Sequence, residues 1–372
     1  MLAGEASGDH HGAQVARALR ERWPDATLIG LGGDRMAAEG VELLAGLDDL
    51  AVMGFAEVVA RLPWFLGLER RVKELLVERK IDLVLPIDYP GLNLRIARAA
   101  HERKIPVLYY ISPQVWAWRA GRAARLARDA DHVAVILPFE VDVLEKAGAR
   151  VSFVGHPLLD RPDDTPEREE FCRTWGLDPA GPILPIFPGS RRQELERHLE
   201  RFVAAAERVR AARPDVQIVL ARASSVTAGA LEGLGYPVID DTRALLRHGR
   251  AALVKSGTTT LEAALEGVPF VVAYRTHPLT FWLARRLVRV DHVALANLVA
   301  GERVVPELLQ DDATPEALAS ALLPLVDDSP AREAMLRGLG RVRSTLGTPG
   351  AAERVAELAG ALVDDPPGRL PA

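Results

Sequence analysis

The sequence predicts an α/β protein with two Rossmann-like domains, each built on a doubly wound parallel sheet. Apolar runs of strand length alternate with amphipathic stretches along most of the chain. A polar, proline-rich segment divides this alternation into two similar halves, and 372 residues are too many for one ordinary core. Wholly apolar strands separated by helices are typical of parallel sheets that are covered on both faces.

Eight apolar runs are expected to form the strands: residues 27–31, 82–87, 106–111, 132–137, 183–187, 216–220, 251–254 and 269–273. Helical periodicity is found between them, at residues 9–22, 64–80, 92–103, 193–212 and 261–267. Only three residues precede the first turn, so either the first strand is stunted or the true start lies upstream. After about residue 313 the pattern is helical only.

The polar segment at residues 160–166 is the predicted interdomain linker, because it is rich in proline and aspartate. The expected domains are residues 1–160 and residues 161–344. A helix at about residues 345–365 is expected to return to the first domain.

Composition excludes several classes of protein. A net charge of −5 argues against a dedicated nucleic-acid binder. The single cysteine, Cys172, excludes an intramolecular disulfide framework and a cysteine-based zinc site. The first five residues do not resemble a secretory signal, and no uncharged apolar run reaches about 18 residues, so a cytoplasmic location is expected. Only five of the 46 basic residues are lysine, and there are two asparagines, Asn93 and Asn297.

The turn at residues 4–9 lies where the first strand ends and a helix begins. Its glycines let the chain bend, and Ser7 or Asp9 can cap the helix. The turn is either a ligand cradle or simply a capped turn. Neither this turn nor residues 30–35 match the dinucleotide fingerprint, and Ser7 misses the nucleophile elbow by one residue.

Asp88 is the first charged residue after a buried strand, and Pro90 prevents the strand from continuing. A carboxylate in this place suits a general base, and the alternative is a cap for the next helix. The loop at residues 109–119 carries Trp116 and Trp118, which either bind a sugar or acyl surface or close the core.

Two turns in the second half suit a nucleotide diphosphate. Residues 188–191 open a long helix, where backbone N–H groups and Arg191 or Arg192 can meet a phosphate. A simple helix cap by Ser190 is the alternative. Residues 255–262 form a second helix start rich in hydroxyl groups, and Glu262 can accept two ribose hydroxyls.

No metal site is expected. The pair Asp129 and Asp131 resembles the Asp-x-Asp of metal-dependent sugar transferases, but it precedes its strand and therefore belongs to the other end of the sheet. His10 and His11 are adjacent and do not share the helix face that metal ligation usually needs.

Two stretches combine apolar and basic residues, and each is either a core-facing helix or a membrane contact. Residues 53–68 include Trp64, Phe65 and Leu66, with Pro63 expected to hold a turn outward. Residues 281–290 place Arg285, Arg286 and Arg289 beside an apolar face.

Nine short motifs, in order along most of the chain, resemble the lipid-A-disaccharide synthase family of GT-B glycosyltransferases. They are residues 4–9, 50–58, 87–90, 112–118, 137–140, 154–157, 188–191, 256–258 and 297–301. Two positions depart from the family pattern. Gly91 stands where some members have a second acid, and Lys255 stands where a small residue is usual.

The resemblance implies an inverting, metal-independent transfer of 2,3-diacylglucosamine from its UDP derivative to 2,3-diacylglucosamine 1-phosphate. The product would be a β-1,6 disaccharide, and no cofactor is needed. The first domain would bind the acceptor and the second the UDP-sugar, with the pocket between them. The enzyme would act peripherally at the cytoplasmic face of the inner membrane.

The resemblance also assigns a role to each site residue. Asp88 would be the base, and Arg191 would stabilise the leaving diphosphate. The remaining nucleotide-sugar contacts would be Gly189, Ser190, Ser256, Gly257, Thr258, Glu262 and Asn297, and the acceptor contacts Ser7, Gly8, Asp9 and Asn93. The lipid contacts would be Trp64, Phe65 and Leu66. The alternatives are another GT-B enzyme acting on a UDP-sugar, such as an epimerase or a different glycolipid transferase, and a non-catalytic binding protein.

Overall fold

A computed structural model of the chain describes residues 1–50, 55–114, 120–223, 225–231, 233–277, 281 and 292–365. It divides into two compact units. Unit 1 is Met1–Asp160 together with the chain from Gly347 onward, and unit 2 is Arg161–Leu346. Trp116, Trp118, Met53 and the arginines at 285, 286 and 289 lie outside the described residues.

Unit 1 contains a parallel sheet of seven described strands in the order β3-β2-β1-β4-β5-β6-β7. The strands are β1 Leu2–Ala3, β2 Ile29–Leu31, β3 Glu42–Ala45, β4 Pro86–Ile87, β5 Leu108–Tyr110, β6 His132–Val135 and β7 Val151–Phe153. Leu2 lies opposite Pro86, and Ala3 lies opposite Ile87. The strand order reverses between β1 and β4, and this topological switch point is where open α/β sheets bind ligands.

Both faces of this sheet are covered. The helices are α1 Ala6–Arg22, α2 Asp34–Ala38, α3 Leu47–Leu50, α4 Phe55–Glu78, α5 Pro90–His101, α6 Ala120–Asp129 and α7 Phe139–Glu145. Successive side chains of β5 point to opposite faces, so Tyr109 and Tyr110 belong to two different apolar clusters. The wholly apolar runs in the sequence therefore reflect strands buried on both sides.

Unit 2 repeats the design with six described strands in the order β10-β9-β8-β11-β12-β13. The strands are β8 Ile183–Phe187, β9 Gln217–Ala221, β10 Val238–Ile239, β11 Ala252–Lys255, β12 Phe270–Tyr274 and β13 Glu307–Leu309. The helices are α8 Arg168–Trp175, α9 Arg192–Ala212, α10 Thr242–His248, α11 Thr259–Leu265, α12 Leu295–Ala300, α13 Pro315–Val326 and α14 Pro330–Thr345. Here the order reverses between β8 and β11.

After unit 2 the chain returns to unit 1 through α15, Ala351–Asp364, which packs against α1. The Asp160 carboxylate accepts the N–H groups of Gly350 at 2.6 Å and Ala351 at 3.1 Å. Arg354 donates to the carbonyl of Val154 at 2.8 Å. The two bonds to Asp160 give acceptors to the N–H groups at the start of α15, whose own N-cap, Gly350, offers no side chain.

The predicted fold class is confirmed, since both units are parallel-sheet α/β structures and each of the eight predicted runs overlaps a strand. The sequence did not indicate β3, β7, β10 or β13. The prediction for Pro63 was wrong, because α4 runs through this proline without ending. In the part of the chain that the structure describes, no helix is both long and apolar enough to cross a bilayer.

Candidate active site

The segments singled out in the sequence follow the strands at the two switch points. In unit 1, residues 4–9 follow β1 and Asp88 follows β4. In unit 2, residues 188–191 follow β8 and residues 256–258 follow β11. Because parallel strands present their carboxyl ends at one edge, each pair of segments shares the ligand-binding edge of its own sheet.

Hydrogen bonds fix the backbone of Asp88 on both sides. Its N–H donates to the carbonyl of Tyr110 at 3.0 Å. Its carbonyl accepts the Tyr109 hydroxyl at 2.7 Å and the Asn93 amide at 2.8 Å. Asp88 has a φ of 46° and Tyr89 a φ of 45°, a left-handed conformation that few non-glycine residues adopt. The surrounding bonds therefore hold a strained turn that presents the Asp88 carboxylate.

The environment of Asp88 makes it a competent base. Burial raises the pKa of its carboxyl to about 6, and the charge of Glu5 adds to the rise. The N–H of Tyr89 and the charge of Arg122 act in the opposite direction. A carboxyl with a pKa close to neutrality is well matched to accepting a proton from a hydroxyl group at physiological pH.

Asp88 is not the cap of the following helix. The N-cap of α5 is Tyr89, and its side chain makes no capping hydrogen bond. The alternative reading of Asp88 as a helix cap therefore receives no support from the structure.

The turn after β1 differs from its prediction, since neither Ser7 nor Asp9 caps α1. The N-cap is Glu5, and Ser7 is an exposed residue of the first turn. Asp9 is buried, and its carboxylate accepts the N–H groups of Gly33 at 2.7 Å and Met36 at 3.1 Å. Asp9 thus stabilises the start of α2, which disagrees with a direct acceptor contact.

The first glycine of this turn is needed for packing. A Cβ on Gly4 would stand 2.3 Å from the ring of Tyr89, so only glycine lets the β1 turn and the Asp88 turn approach each other. Gly8 is buried beside Ala3 in the same turn.

Asn93 is also structural, although the family resemblance assigned it to the acceptor. Its side chain is 1% exposed, and its amide nitrogen lies 3.0 Å from the carbonyl of Leu2 and 2.8 Å from that of Asp88. It joins β1 to the Asp88 turn. We therefore correct its role from acceptor binding to positioning of Asp88.

In unit 2 the turn after β8 is followed by two adjacent arginines whose surroundings differ. Gly189 has a φ of +133°, and a Cβ there would stand 2.5 Å from that of Glu194, so glycine is required. Arg191 is the exposed N-cap residue of α9. Arg192 points along the helix surface and pairs with Glu196 at 2.9 Å. Of the two arginines, Arg191 is therefore the better placed for an anion at this turn.

The sequence analysis missed a cluster around Glu194. One oxygen of Glu194 accepts the N–H of Ser190 at 2.9 Å, and the other accepts Lys255 Nζ at 2.8 Å. One turn later, His198 bonds to the carbonyl of Glu194 at 2.7 Å and accepts the N–H of Arg275 at 2.9 Å. Burial lowers the pKa of His198, which suits the neutral ring that these two bonds require.

In the turn after β11, some residues are accessible to a ligand and others are hydrogen-bonded within the fold. Gly257 is half-buried and Thr258 is exposed, and no side-chain bond caps α11. Ser256 is buried and donates to the carbonyl of Val293 at 3.0 Å, which disagrees with a nucleotide contact through its hydroxyl. Glu262 pairs with Arg161 at 2.9 Å through one oxygen.

The second asparagine is likewise committed to the fold. Asn297 is fully buried, and its side chain bonds to Val304, Val305 and Glu307 at 2.8–2.9 Å. Its predicted position at the uridine is therefore corrected, since no polar atom of this side chain is left for a ligand.

The Asp-x-Asp pair lies before β6, as its place in the sequence indicated. Asp129 is buried and paired with Arg128 at 2.6 Å, and Asp131 accepts the N–H of Val107 at 2.8 Å. Among the described residues, no group of three or more potential ligands could hold a metal ion.

Comparison with known proteins agrees with this architecture. A glycotransferase of kitacinnamycin has a TM-score of 0.66 at 21% identity, covering 97% of both chains. The UDP-GlcNAc 2-epimerase from Methanocaldococcus jannaschii has a TM-score of 0.61 at 12% identity, covering 97% of this chain and 98% of that one. These likenesses concern the fold, which is that of GT-B glycosyltransferases and epimerases.

Sequence relatives are more specific. The lipid-A-disaccharide synthetase family profile matches residues 1–343. The lipid-A-disaccharide synthase of Geobacter sulfurreducens is 43% identical, covering 96% of this chain and 94% of that protein. The synthase of Acidobacterium capsulatum is 44% identical, with coverages of 94% and 92%.

Fold, site and relatives together define a glycosyltransferase that uses a sugar nucleotide and a lipid-linked sugar. The chain belongs to the lipid-A-disaccharide synthase family.

Proposed function

We propose that the protein transfers 2,3-diacylglucosamine from UDP-2,3-diacylglucosamine to 2,3-diacylglucosamine 1-phosphate. The products are the β-1,6-linked lipid A disaccharide 1-phosphate and UDP. The observation that carries the proposal is Asp88, a carboxylate with a pKa of about 6 at the switch point of unit 1. Family membership supplies the choice of substrates.

The 6-hydroxyl oxygen of the acceptor attacks C1 of the donor sugar from the face opposite the diphosphate. The C–O bond forms as the bond from C1 to the diphosphate breaks, so the configuration at C1 inverts. The hydroxyl proton passes to the carboxylate of Asp88, which becomes neutral. The electron pair of the broken bond leaves with UDP.

Unit 2 is the proposed donor-binding half, and its groups act on the leaving charge. Arg191 and the backbone N–H groups at Gly189, Gly257 and Thr258 stabilise the diphosphate as negative charge develops on it. Glu262 accepts the ribose hydroxyls, since Arg161 occupies only one of its oxygens. Ser256 and Asn297 support the turn and β13 without touching the ligand.

Unit 1 is the proposed acceptor-binding half. The exposed hydroxyl of Ser7 and the backbone at Gly8 are available to the acceptor beside Asp88. Asp9 and Asn93 act indirectly, because their hydrogen bonds fix the α2 start and the Asp88 turn.

We also propose that the protein binds peripherally to the cytoplasmic face of the inner membrane through α4. Leu62 and Leu66 lie one turn apart with exposed fractions of 49% and 52%, and Trp64 is 38% exposed. Phe65 differs from its prediction because it is only partly exposed and packs against the core of unit 1. The lipid-contacting set is therefore Leu62, Trp64 and Leu66.

The decisive assay uses the purified protein, both lipid substrates in mixed vesicles, and detection of UDP and of the disaccharide by mass spectrometry. We expect UDP release that depends on the acceptor, with one disaccharide formed per UDP. Conversion of UDP-N-acetylglucosamine without an acceptor would instead identify an epimerase. Absence of both reactions would contradict the proposal.

A further inference from the structure

The cluster around Glu194 contains a cation that none of the proposed catalytic steps uses. Lys255 is the last residue of β11, and its side chain is only 17% exposed. Its ammonium lies 2.8 Å from Glu194 and 5.6 Å from the centre of the Tyr274 ring. A lysine this deeply enclosed has given up much of its hydration, and the ion pair with Glu194 offsets that cost.

The ammonium of Lys255 lies close to both turns at the switch point of unit 2. Through Glu194 it is linked to the N–H of Ser190, in the turn after β8. It also lies 3.7 Å from the point where a Cβ of Gly257 would stand, in the turn after β11. Because residue 257 is glycine, no side chain of this residue covers the ammonium.

Among the residues that the structure describes, Glu194 is the one hydrogen-bond acceptor of the Lys255 ammonium. An ammonium has three donors, and one of them goes to Glu194. The Tyr274 ring attracts the charge without accepting a conventional hydrogen bond. Glu194 therefore holds the ammonium in place and leaves donors for a second anion.

We propose that Lys255 is a further diphosphate-binding residue of the donor site, held in position by Glu194. The inference rests on the proposed placement of the donor in unit 2. Lys255 would share the diphosphate charge with Arg191, and its β11 position would fix it more firmly than an arginine on an exposed turn.

The test measures the affinity of the purified full-length protein for UDP by calorimetry and for uridine by ligand-observed NMR. In the Lys255→Met variant the methionine keeps the apolar stem beside Tyr274 and removes the charge. We expect UDP to bind about 10- to 100-fold more weakly, as for loss of a charged hydrogen bond. Uridine affinity should change by less than about threefold. An unchanged UDP affinity would overturn the inference.

A second variant separates contact from support. In Lys255→Met the Glu194 carboxylate is left unpaired and could itself repel the ligand. The double variant Lys255→Met/Glu194→Gln removes both charges. If Lys255 binds the diphosphate, UDP binding remains weak in the double variant. Recovery of the wild-type UDP affinity would mean that Lys255 serves only to neutralise Glu194, and would overturn the inference.

Two controls complete the design. Lys146→Met removes an exposed lysine of unit 1 and should leave UDP affinity unchanged. Thermal unfolding of each variant identifies any loss of the folded state, and a variant that unfolds is replaced by Lys255→Gln. If the wild-type protein itself fails to bind UDP, the donor placement under the proposed function is wrong, which is a different result from an unchanged variant.

Discussion

At the scale of single residues, two features of Asp88 lower the stability of the folded protein. Its left-handed backbone is strained, and its carboxylate is partly buried. Because the pKa rises from 3.8 to about 6, folding favours the protonated form. Stability is therefore lost as the pH rises from about 4 through 6, and at neutral pH the ionised Asp88 opposes folding.

Replacing Asp88 by asparagine should lower turnover by about 10²- to 10⁴-fold, because the proton acceptor is removed. The same variant should be more stable at pH 7, by about 1–3 kcal/mol, since a neutral amide tolerates burial and the left-handed turn. Steady-state kinetics and thermal unfolding measure the two effects. Asp82→Asn, at an exposed position nearby, is the matched control. Turnover close to normal would remove Asp88 from the mechanism.

The pH profile gives an independent measurement of this group. We expect kcat/KM to fall tenfold per pH unit below an apparent pKa of about 6, as Asp88 becomes protonated. Glu5→Gln should move this limb to lower pH, because the charge of Glu5 contributes to the raised pKa. Glu21→Gln, at the other end of α1, should leave the limb in place. If the apparent pKa of the acidic limb is the same in Glu5→Gln as in the wild-type protein, this explanation of the raised pKa is wrong.

The two adjacent arginines at the start of α9 should respond differently to substitution. Arg191→Ala should cost about 2–5 kcal/mol of transition-state stabilisation if its guanidinium meets the diphosphate. Arg192→Ala removes an exposed pair with Glu196 and should leave kcat/KM nearly unchanged. Measuring kcat/KM for both variants distinguishes them, and equal losses would disprove the assignment to Arg191.

The rarity of a residue type in this sequence was a better indicator of a structural role than of a ligand contact. Asn93 and Asn297 stood out, and both are buried anchors of the backbone. Lys255 was just as unusual in a chain dominated by arginine, yet its partner Glu194 lies 61 residues away in sequence. Sequence position indicates which residues reach the sheet edge, but hydrogen-bond partners depend on the three-dimensional fold.

At the scale of secondary structure, the prediction succeeded where a strand is buried on both faces. β8 was predicted at its observed bounds because all five of its residues are buried. β3 and β7 consist mainly of half-exposed residues, and β10 has only two residues, so none of them produces a distinct apolar run. The prediction that Asp9 caps α1 was wrong. Asp9 lies in α1, but its carboxylate accepts an N–H group at the start of α2, a contact that depends on the three-dimensional fold.

The exposed apolar side chains near the start of α4 should govern membrane binding. Replacing Leu62, Trp64 and Leu66 by serine should weaken binding to anionic vesicles at least about tenfold and leave the fold intact, because these side chains are largely exposed. Vesicle co-sedimentation and thermal unfolding are the measurements. Val77→Ser is the matched control, since it removes an exposed apolar residue at 64% exposure further along the helix. Undiminished vesicle binding would exclude these three side chains as the membrane contact.

The start of α15 depends on a carboxylate from a distant part of the chain. Asp160→Ala should destabilise unit 1 by about 1–2 kcal/mol, because two N–H groups of the helix start lose their acceptor. Hydrogen exchange should then quicken in α15. Asp164→Ala, with 80% of the side chain exposed, is the control. If exchange in α15 is unchanged, the carboxylate does not stabilise this helix.

At the scale of the whole molecule, the sequence predicted two units because the same strand and helix alternation occurs twice. The six described strands of unit 2 follow the same order as the first six of unit 1, so in each unit the first and fourth strands flank the switch point. Motifs at the ends of these strands could therefore be assigned to ligand-binding edges before any coordinates. Side-chain hydrogen bonds such as the one from Ser256 to the carbonyl of Val293 could not be predicted, because they depend on packing between distant segments.

The return of the chain to unit 1 has a consequence for the order of folding during synthesis. Unit 2 is one continuous stretch and can fold as soon as Leu346 has left the ribosome. Unit 1 must wait, because the bonds from Asp160 to the α15 start join residues 190 and 191 positions apart. At about 5–20 residues per second this delay is on the order of 10–40 s. Throughout that time the face of α1 that α15 later covers is open to solvent and to chaperones.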